Sequence, residues 1–189
     1  MNCANISKNL ILGSCKNESP AIEPAVILIN FDDWKAANKS LDAGVLSQLS
    51  LAEGKYGFKY ESLKNSLDTD CSLSKGTYQN TFDHKVSFKV FAKTQTIKDE
   101  LNKLSNAKVV AITENVSNDE QGVKYELFGS DNGLEMSEFT APSTGTDGVV
   151  YSFSLASGDN GKESALPLSV DAGTPETTKA LIDALVKEA

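Results

Sequence analysis

From residue 55 the chain alternates, with Tyr56, Phe58 and Tyr60 on one side and Lys55, Gly57 and Lys59 on the other. That is the two-residue period of a half-buried strand. Residues 85–90 alternate in the same way, so the two segments are expected to pair antiparallel. Residues 25–29 are an unbroken apolar run, Ala-Val-Ile-Leu-Ile, of the kind a strand buried on both faces requires. Residues 108–113 are apolar and β-branched, and Val123, Tyr125 and Leu127 alternate with Lys124 and Glu126. Two further strands are predicted there, joined by a polar turn over 115–122. Asp131-Asn132-Gly133 supplies the positive φ angles of a tight primed turn, predicting a hairpin between 126–128 and 134–139. Val149, Tyr151, Phe153 and Leu155 alternate next, and Leu166, Leu168 and Val170 follow the 158–161 turn.

Helical spacing is confined to a few places. Thr96 stands three residues before Asp99, and Ile97, Leu101 and Leu104 recur at helical intervals, predicting a short amphipathic helix to about Ser105. Near the end, Thr174 is a cap, Pro175 fits the first helical position and Glu176 the first turn. Thr178, Leu181, Ile182 and Leu185 then form one stripe, predicting a helix over 174–188. Residues 35–50 mix Ala, Asn and Leu without a clear period and read as a short helix or loop. Residues 1–24 lack a pattern and contain Pro20 and Pro24, as an extended N-terminal arm would. The stretch 65–84, rich in Ser, Thr, Asp and Asn, is a long connection and is expected to protrude as a loop or hairpin. With about eight strands and two or three helices, the fold class is mainly β (α+β). The architecture expected is an antiparallel β-sandwich or barrel with flanking helices, one domain over 25–189.

Composition narrows the function. The chain has 189 residues, 40% hydrophobic and 23% charged, ordinary globular usage that argues against disorder. No apolar run approaches the ~18 residues of a bilayer-spanning helix, so no membrane span is expected. The 18 basic residues are all Lys, against 26 acidic ones, for a formal charge of −8. Without Arg there are no bidentate forks for guanine or phosphate, and the net charge repels a phosphate backbone. Tight nucleic-acid binding is not expected, although an acidic surface can let DNA pass without retaining it. Cys3, Cys15 and Cys71 are odd in number and without C-x-x-C spacing. They read as free thiols of a reducing compartment, neither a disulfide framework nor a zinc site. Leu12-Gly13-Ser14-Cys15 matches the small-residue pattern before a lipidated cysteine, but only Leu10-Ile11-Leu12 precedes it as apolar core, so the match is expected to be coincidental.

No catalytic motif survives inspection. A nucleophilic triad would need His84, the one histidine, and Asp83 beside it would point the other way on a strand. A loop or strand-edge histidine without a catalytic task is expected. Asp32 and Asp33 are adjacent, so they do not face one substrate as paired glycosidase acids do, and are expected to be solvated. Trp34 is read as a packing anchor. Asp68-Thr69-Asp70 begins like a calcium loop, yet Leu73 stands where Gly is needed. Gly145-Thr146-Asp147-Gly148 is read as a turn between strands, not a phosphate cradle. No enzyme, cofactor or metal is expected.

The block 96–155 carries a resemblance. It contains the helix at Thr96-Ile97-Lys98-Asp99-Glu100-Leu101, the strand at 108–113, "YELFGSDNGLEMSEF" from Tyr125 and "DGVVYSFSLAS" from Asp147. A strand ending in Gly, a tight Asn-Gly turn, a short strand and a closing strand are similar to the core of phage major tail (tail tube) proteins of the siphovirus type. The similar region is roughly a third of the chain. The resemblance implies a β-sandwich flanked by a helix and a homo-oligomer of stacked six-fold rings in the virion tail. It also implies synthesis in the host cytoplasm, neighbouring tail proteins as partners, and a lumen through which DNA passes at ejection. The 65–84 stretch and the N-terminal arm would then contact the next ring, with Asp68, Asp70, Leu73, Tyr78, Phe82, Ile6 and Leu10 as candidate inter-subunit residues. The segment through Ser50 and the 174–189 helix depart from a minimal tube subunit. A neck or other tail component, or the tube protein of a contractile injection system, stays open as an alternative. So do a monomeric carbohydrate- or surface-binding sandwich and a small hydrolase built on His84.

Overall fold

The computed structural model describes residues 22–63, 66–91, 93–115, 124–141, 150–158 and 161–186. The expected arm apart from its last three residues, the turn expected over 115–122 apart from Asn115, and the segment 142–149 with the turn expected at Gly145-Thr146-Asp147-Gly148 lie outside them. In chain order the elements are β1 (Ile22–Asn30), α1 (Phe31–Ala36), β2 (Asn38–Asp42), β3 (Val45–Ser50), β4 (Phe58–Glu61), β5 (Leu67–Lys75) and β6 (Asn80–Val90). There follow α2 (Gln95–Leu104), β7 (Val109–Asn115), β8 (Tyr125–Phe128), β9 (Leu134–Thr140), β10 (Tyr151–Ser157), β11 (Leu168–Val170) and α3 (Pro175–Leu185).

The strands form two leaves. The larger runs β2-β3-β11-β8-β7-β1-β4 and the smaller β9-β10-β6-β5, and among the described strands the two pair with each other only where Val109 of β7 meets Leu134 of β9. Between the leaves lies one core, built from Val26 and Leu28 of β1, Val109 and Ala111 of β7, Phe88 of β6, Phe153 of β10, and Leu101 and Leu104 of α2. A second core lies on the opposite face of the larger leaf, where Ile182 and Leu185 of α3 and Trp34 of α1 cover Ile27, Ile29, Val110 and Ile112. Side chains alternate faces along a strand, so β1 and β7 are apolar at consecutive positions because each feeds both cores. The mainly β, sandwich-type α+β fold expected from the sequence is the fold observed.

Several details differ from expectation. Residues 38–50 are the β2–β3 hairpin, turned at Ala43 and Gly44 with φ of 48° and 84°. All five residues of β2 are exposed, so no alternation signals the strand. β4 pairs with β1, and β6 lies between β5 and β10, so 55–60 and 85–90 are not partners. Alternation fixes which face is buried, not which strand is the neighbour. Tyr56 precedes β4 and is exposed. Of the two forms expected for the 65–84 stretch, the hairpin is the one observed, with β5 and β6 paired in unbroken register from Leu67↔Phe88 to Lys75↔Asn80.

A turn is present at Asp131-Asn132-Gly133, but it is not the primed turn expected: Gly133 has a φ of 75° while Asn132 does not take positive φ, Gly133 N–H donates to the Gly129 carbonyl at 3.0 Å, and the turn does not close a hairpin. β8 pairs with β7 and β11, whereas β9 pairs with β10. The turn hands the chain from one leaf to the other. One pairing, β3 with β11, is parallel, and Leu166 lies outside β11 and is exposed. Thr94, not Thr96, caps α2 by accepting the Ile97 N–H at 3.3 Å. Thr174 caps α3 as expected, in a reciprocal box completed by Thr177, and that helix ends at Leu185 rather than at 188.

Candidate functional site

The β5–β6 hairpin carries two of the exposed large apolar side chains of the described residues, Leu73 and Tyr78. Paired residues share a face, so Leu67 with Phe88, Thr69 with Val86, Cys71 with His84 and Leu73 with Phe82 form one row. The row starts in the core, where Leu67, Val86 and Phe88 are buried. It ends in solvent, with Leu73 51% exposed and Tyr78, in the turn, 100% exposed. Asp68 and Asp70 are on the opposite face, across from Ser87 and Lys85. The candidate inter-subunit residues therefore divide: Leu73 and Phe82 are brought together, Tyr78 tops them, and the two acids face away. Ile6 and Leu10 lie outside the described residues, as do Cys3 and Cys15.

Among the described residues, β5 is also the open edge of its leaf, and β2 is the open edge at the far end of the other. An open edge presents unpaired N–H and C=O groups, a template for another strand. The outward face of the smaller leaf is polar. There Ser87 and Ser154 share a hydrogen bond of 3.0 Å, and Lys85 reaches Glu138 at 3.2 Å.

A cleft of about 540 Å³ lies between α1 and the residues after α2 and is lined by Phe31, Asp32, Lys35, Lys108, Glu135 and Met136, among others. Its charges neutralise one another, Lys35 with Asp32 at 3.1 Å and Lys108 with Glu135 at 2.9 Å. No group of three or more His, Cys, Asp or Glu that could hold a metal occurs among the described residues, and no helix there is long and apolar enough to cross a membrane.

A buried polar cluster at the root of the hairpin escaped the sequence reading. His84 is fully buried in β6, not at a strand edge or in a loop. Its Nδ1 accepts the Gly129 N–H at 3.2 Å, and Nε2 lies 3.0 Å from the Ala165 carbonyl, to which it donates. Phe128 meets the ring edge-on. Both nitrogens are committed, so neither is free for a substrate. Burial lowers the pKa of His84, against the Ala165 hydrogen bond and the charges of Asp131 and Asp83, which raise it.

Two residues before Ala165, the fully buried Glu163 accepts the N–H groups of Asp131 at 2.7 Å and Asn132 at 3.0 Å. Burial raises its pKa, while those N–H donors hold the rise back. Asp131 in turn accepts from the Ser164 N–H and hydroxyl. Asp83 faces away from His84, as its neighbour position requires, and pairs with Lys162 at 2.6 Å. Spacing alone does not reveal this cluster, because its members come from three separate segments of chain.

Trp34 is an anchor, buried, with Nε1 donating to the Ser130 carbonyl at 2.8 Å. Asp32 is exposed, but Asp33 is only 13% exposed and pairs with Lys55 at 2.9 Å, so one of the two acids is not solvated. Cys71 is a free, half-buried thiol whose pKa burial raises. Comparison with known proteins adds no further constraint: no family model, curated protein or solved structure matches this chain.

Proposed function

We propose that this protein is a structural subunit of a phage tail, assembling with copies of itself into stacked rings that form a tube for DNA. The observation that carries the reading is the row along the β5–β6 hairpin, which continues past the core and the Cys71–His84 pair to Leu73 and Phe82, with Leu73 in solvent and Tyr78 beyond it. Burying a side chain the size of leucine is worth roughly 1.5–3 kcal/mol. A subunit that holds such groups in water on a paired, two-stranded lever gains that free energy when a neighbour covers them. The edges that β2 and β5 leave open among the described residues offer backbone pairing to the same end.

Electrostatics favour the same reading. A chain of net charge −8 without Arg repels a phosphate backbone, as a conduit must if DNA is to move through it. The resemblance of residues 96–155 to tail tube proteins supplies the ring-and-tube form of the assembly. The test is light scattering on purified protein followed by negative-stain imaging of the same peak. Rings or tubes with a central channel are expected, and a species of subunit mass at all accessible concentrations would overturn the proposal.

A further inference from the structure

We infer that residues 161–165 are a strap bracing the root of the β5–β6 hairpin, and that His84 is the pin that acid withdraws. The strap touches β6 directly. Phe82 N–H donates to the Glu163 carbonyl at 2.8 Å, and Glu163 N–H returns to the Phe82 carbonyl at 2.9 Å. It touches the 129–133 turn through the Glu163 carboxylate, through Ser164 on Asp131, and through the Lys162 carbonyl, which accepts from Asn132 Nδ2 at 2.8 Å. His84 joins both partners, with the turn on Nδ1 and the strap on Nε2. Only the neutral ring with its hydrogen on Nε2 satisfies both contacts. A second proton would sit on Nδ1 against the Gly129 N–H, replacing a buried hydrogen bond by two opposed donors.

The charged and titratable groups around the ring come from every side: Asp83 on β6, Cys71 across from it on β5, Asp131 in the turn, and Lys162 and Glu163 on the strap. Asp83 is already matched by Lys162. With the ring's pKa below the ordinary 6.5 when the strap is closed, the released form binds more protons between that lowered value and 6.5. Acid in that window therefore favours release. Glu163 acts with the opposite sign, because a carboxyl whose pKa is raised in the closed form favours closure as it is protonated. A protonated Glu163 still accepts a backbone N–H, whereas a protonated His84 cannot accept at all. The His84 contact is thus the one lost outright. With the strap loose, Phe82 loses its backbone partner and the hairpin its brace.

The experiment is hydrogen–deuterium exchange on the full chain at pH 7.5 and 5.5, corrected for intrinsic rates. Peptides covering 78–84, 125–134 and 161–168 should exchange ~3–10-fold faster at the lower pH, while those over β7 do not change. His84→Gln, which cannot titrate, should remove the difference. Exchange in these peptides that ignores pH, or a pH dependence that survives in His84→Gln, would overturn the inference. Should that variant fail to fold, ring nitrogen shifts of the single histidine in the unaltered protein decide. An imidazole that gains its proton in step with strap exchange supports the pin; one that stays neutral while the strap loosens overturns it.

Discussion

Strands β1 and β7 and the hairpin β5–β6 all carry large apolar residues, yet they put them to different use. In β1 and β7 consecutive residues are buried, Val26 and Leu28 against one core, Ile27 and Ile29 against the other. In the hairpin one face alone is apolar, and that face runs out of core before it runs out of residues, at Leu73. Burial on both faces commits a strand to stability. An apolar row continued into water adds nothing to the fold of the subunit and is free to serve contact with another.

The sharpest way to break that comparison is to shorten one side chain in each region. Leu28→Ala removes a fully buried side chain of β1 from the core between the leaves and should cost about 2–5 kcal/mol, read as a drop in the urea midpoint. Leu73→Ser should leave the subunit's own stability within about 0.5 kcal/mol and act on association alone. A loss from Leu73→Ser as large as that from Leu28→Ala would show that the hairpin face belongs to the core after all.

Next in size is the buried cluster. Glu163→Ala orphans the N–H groups of Asp131 and Asn132, at roughly 1–3 kcal/mol for each buried unsatisfied group. Thermal denaturation should show the loss, and Glu163→Gln should recover part of it, since the amide keeps one acceptor. Gly133→Ala comes third. Its φ of 75° disfavours any side chain, by about 1–2 kcal/mol, and the new Cβ would lie 2.6 Å from Lys108 Cγ. The smallest effect is expected at the surface of α3. Lys179→Ala breaks an exposed pair with Asp183 at 3.0 Å, and the change in midpoint should correspond to less than about 0.5 kcal/mol.

The contrast between regions also marks what was legible in the sequence. The unbroken run at 25–29 and the apolar block at 108–113 announced strands because burial on two faces removes every polar position. α3 was legible from Thr174 and Pro175, which specify its start chemically. The β2–β3 hairpin was not, because an exposed strand carries no periodic signal and its turn rests on Ala43 and Gly44 rather than on Asn-Gly. Asp131-Asn132-Gly133 announced a turn correctly but not its use, since local φ preference does not choose partners for the strands on either side. Within the candidate site, Leu73 and Phe82 followed from register once the hairpin was paired. Glu163 and His84 could not be joined by inspection, because a carboxylate serving N–H groups 31 and 32 residues away leaves no mark in local spacing.

The most direct test of the central claim is sedimentation of the unaltered protein and of a Leu73→Ser, Tyr78→Ser variant, side by side and across concentration. The account predicts rings or larger assemblies for the first. It predicts a folded species of subunit mass for the second, with the thermal midpoint that the unaltered protein shows when diluted below assembly. Assembly of the variant to the same extent as the unaltered protein, or a monomeric unaltered protein throughout, would contradict it.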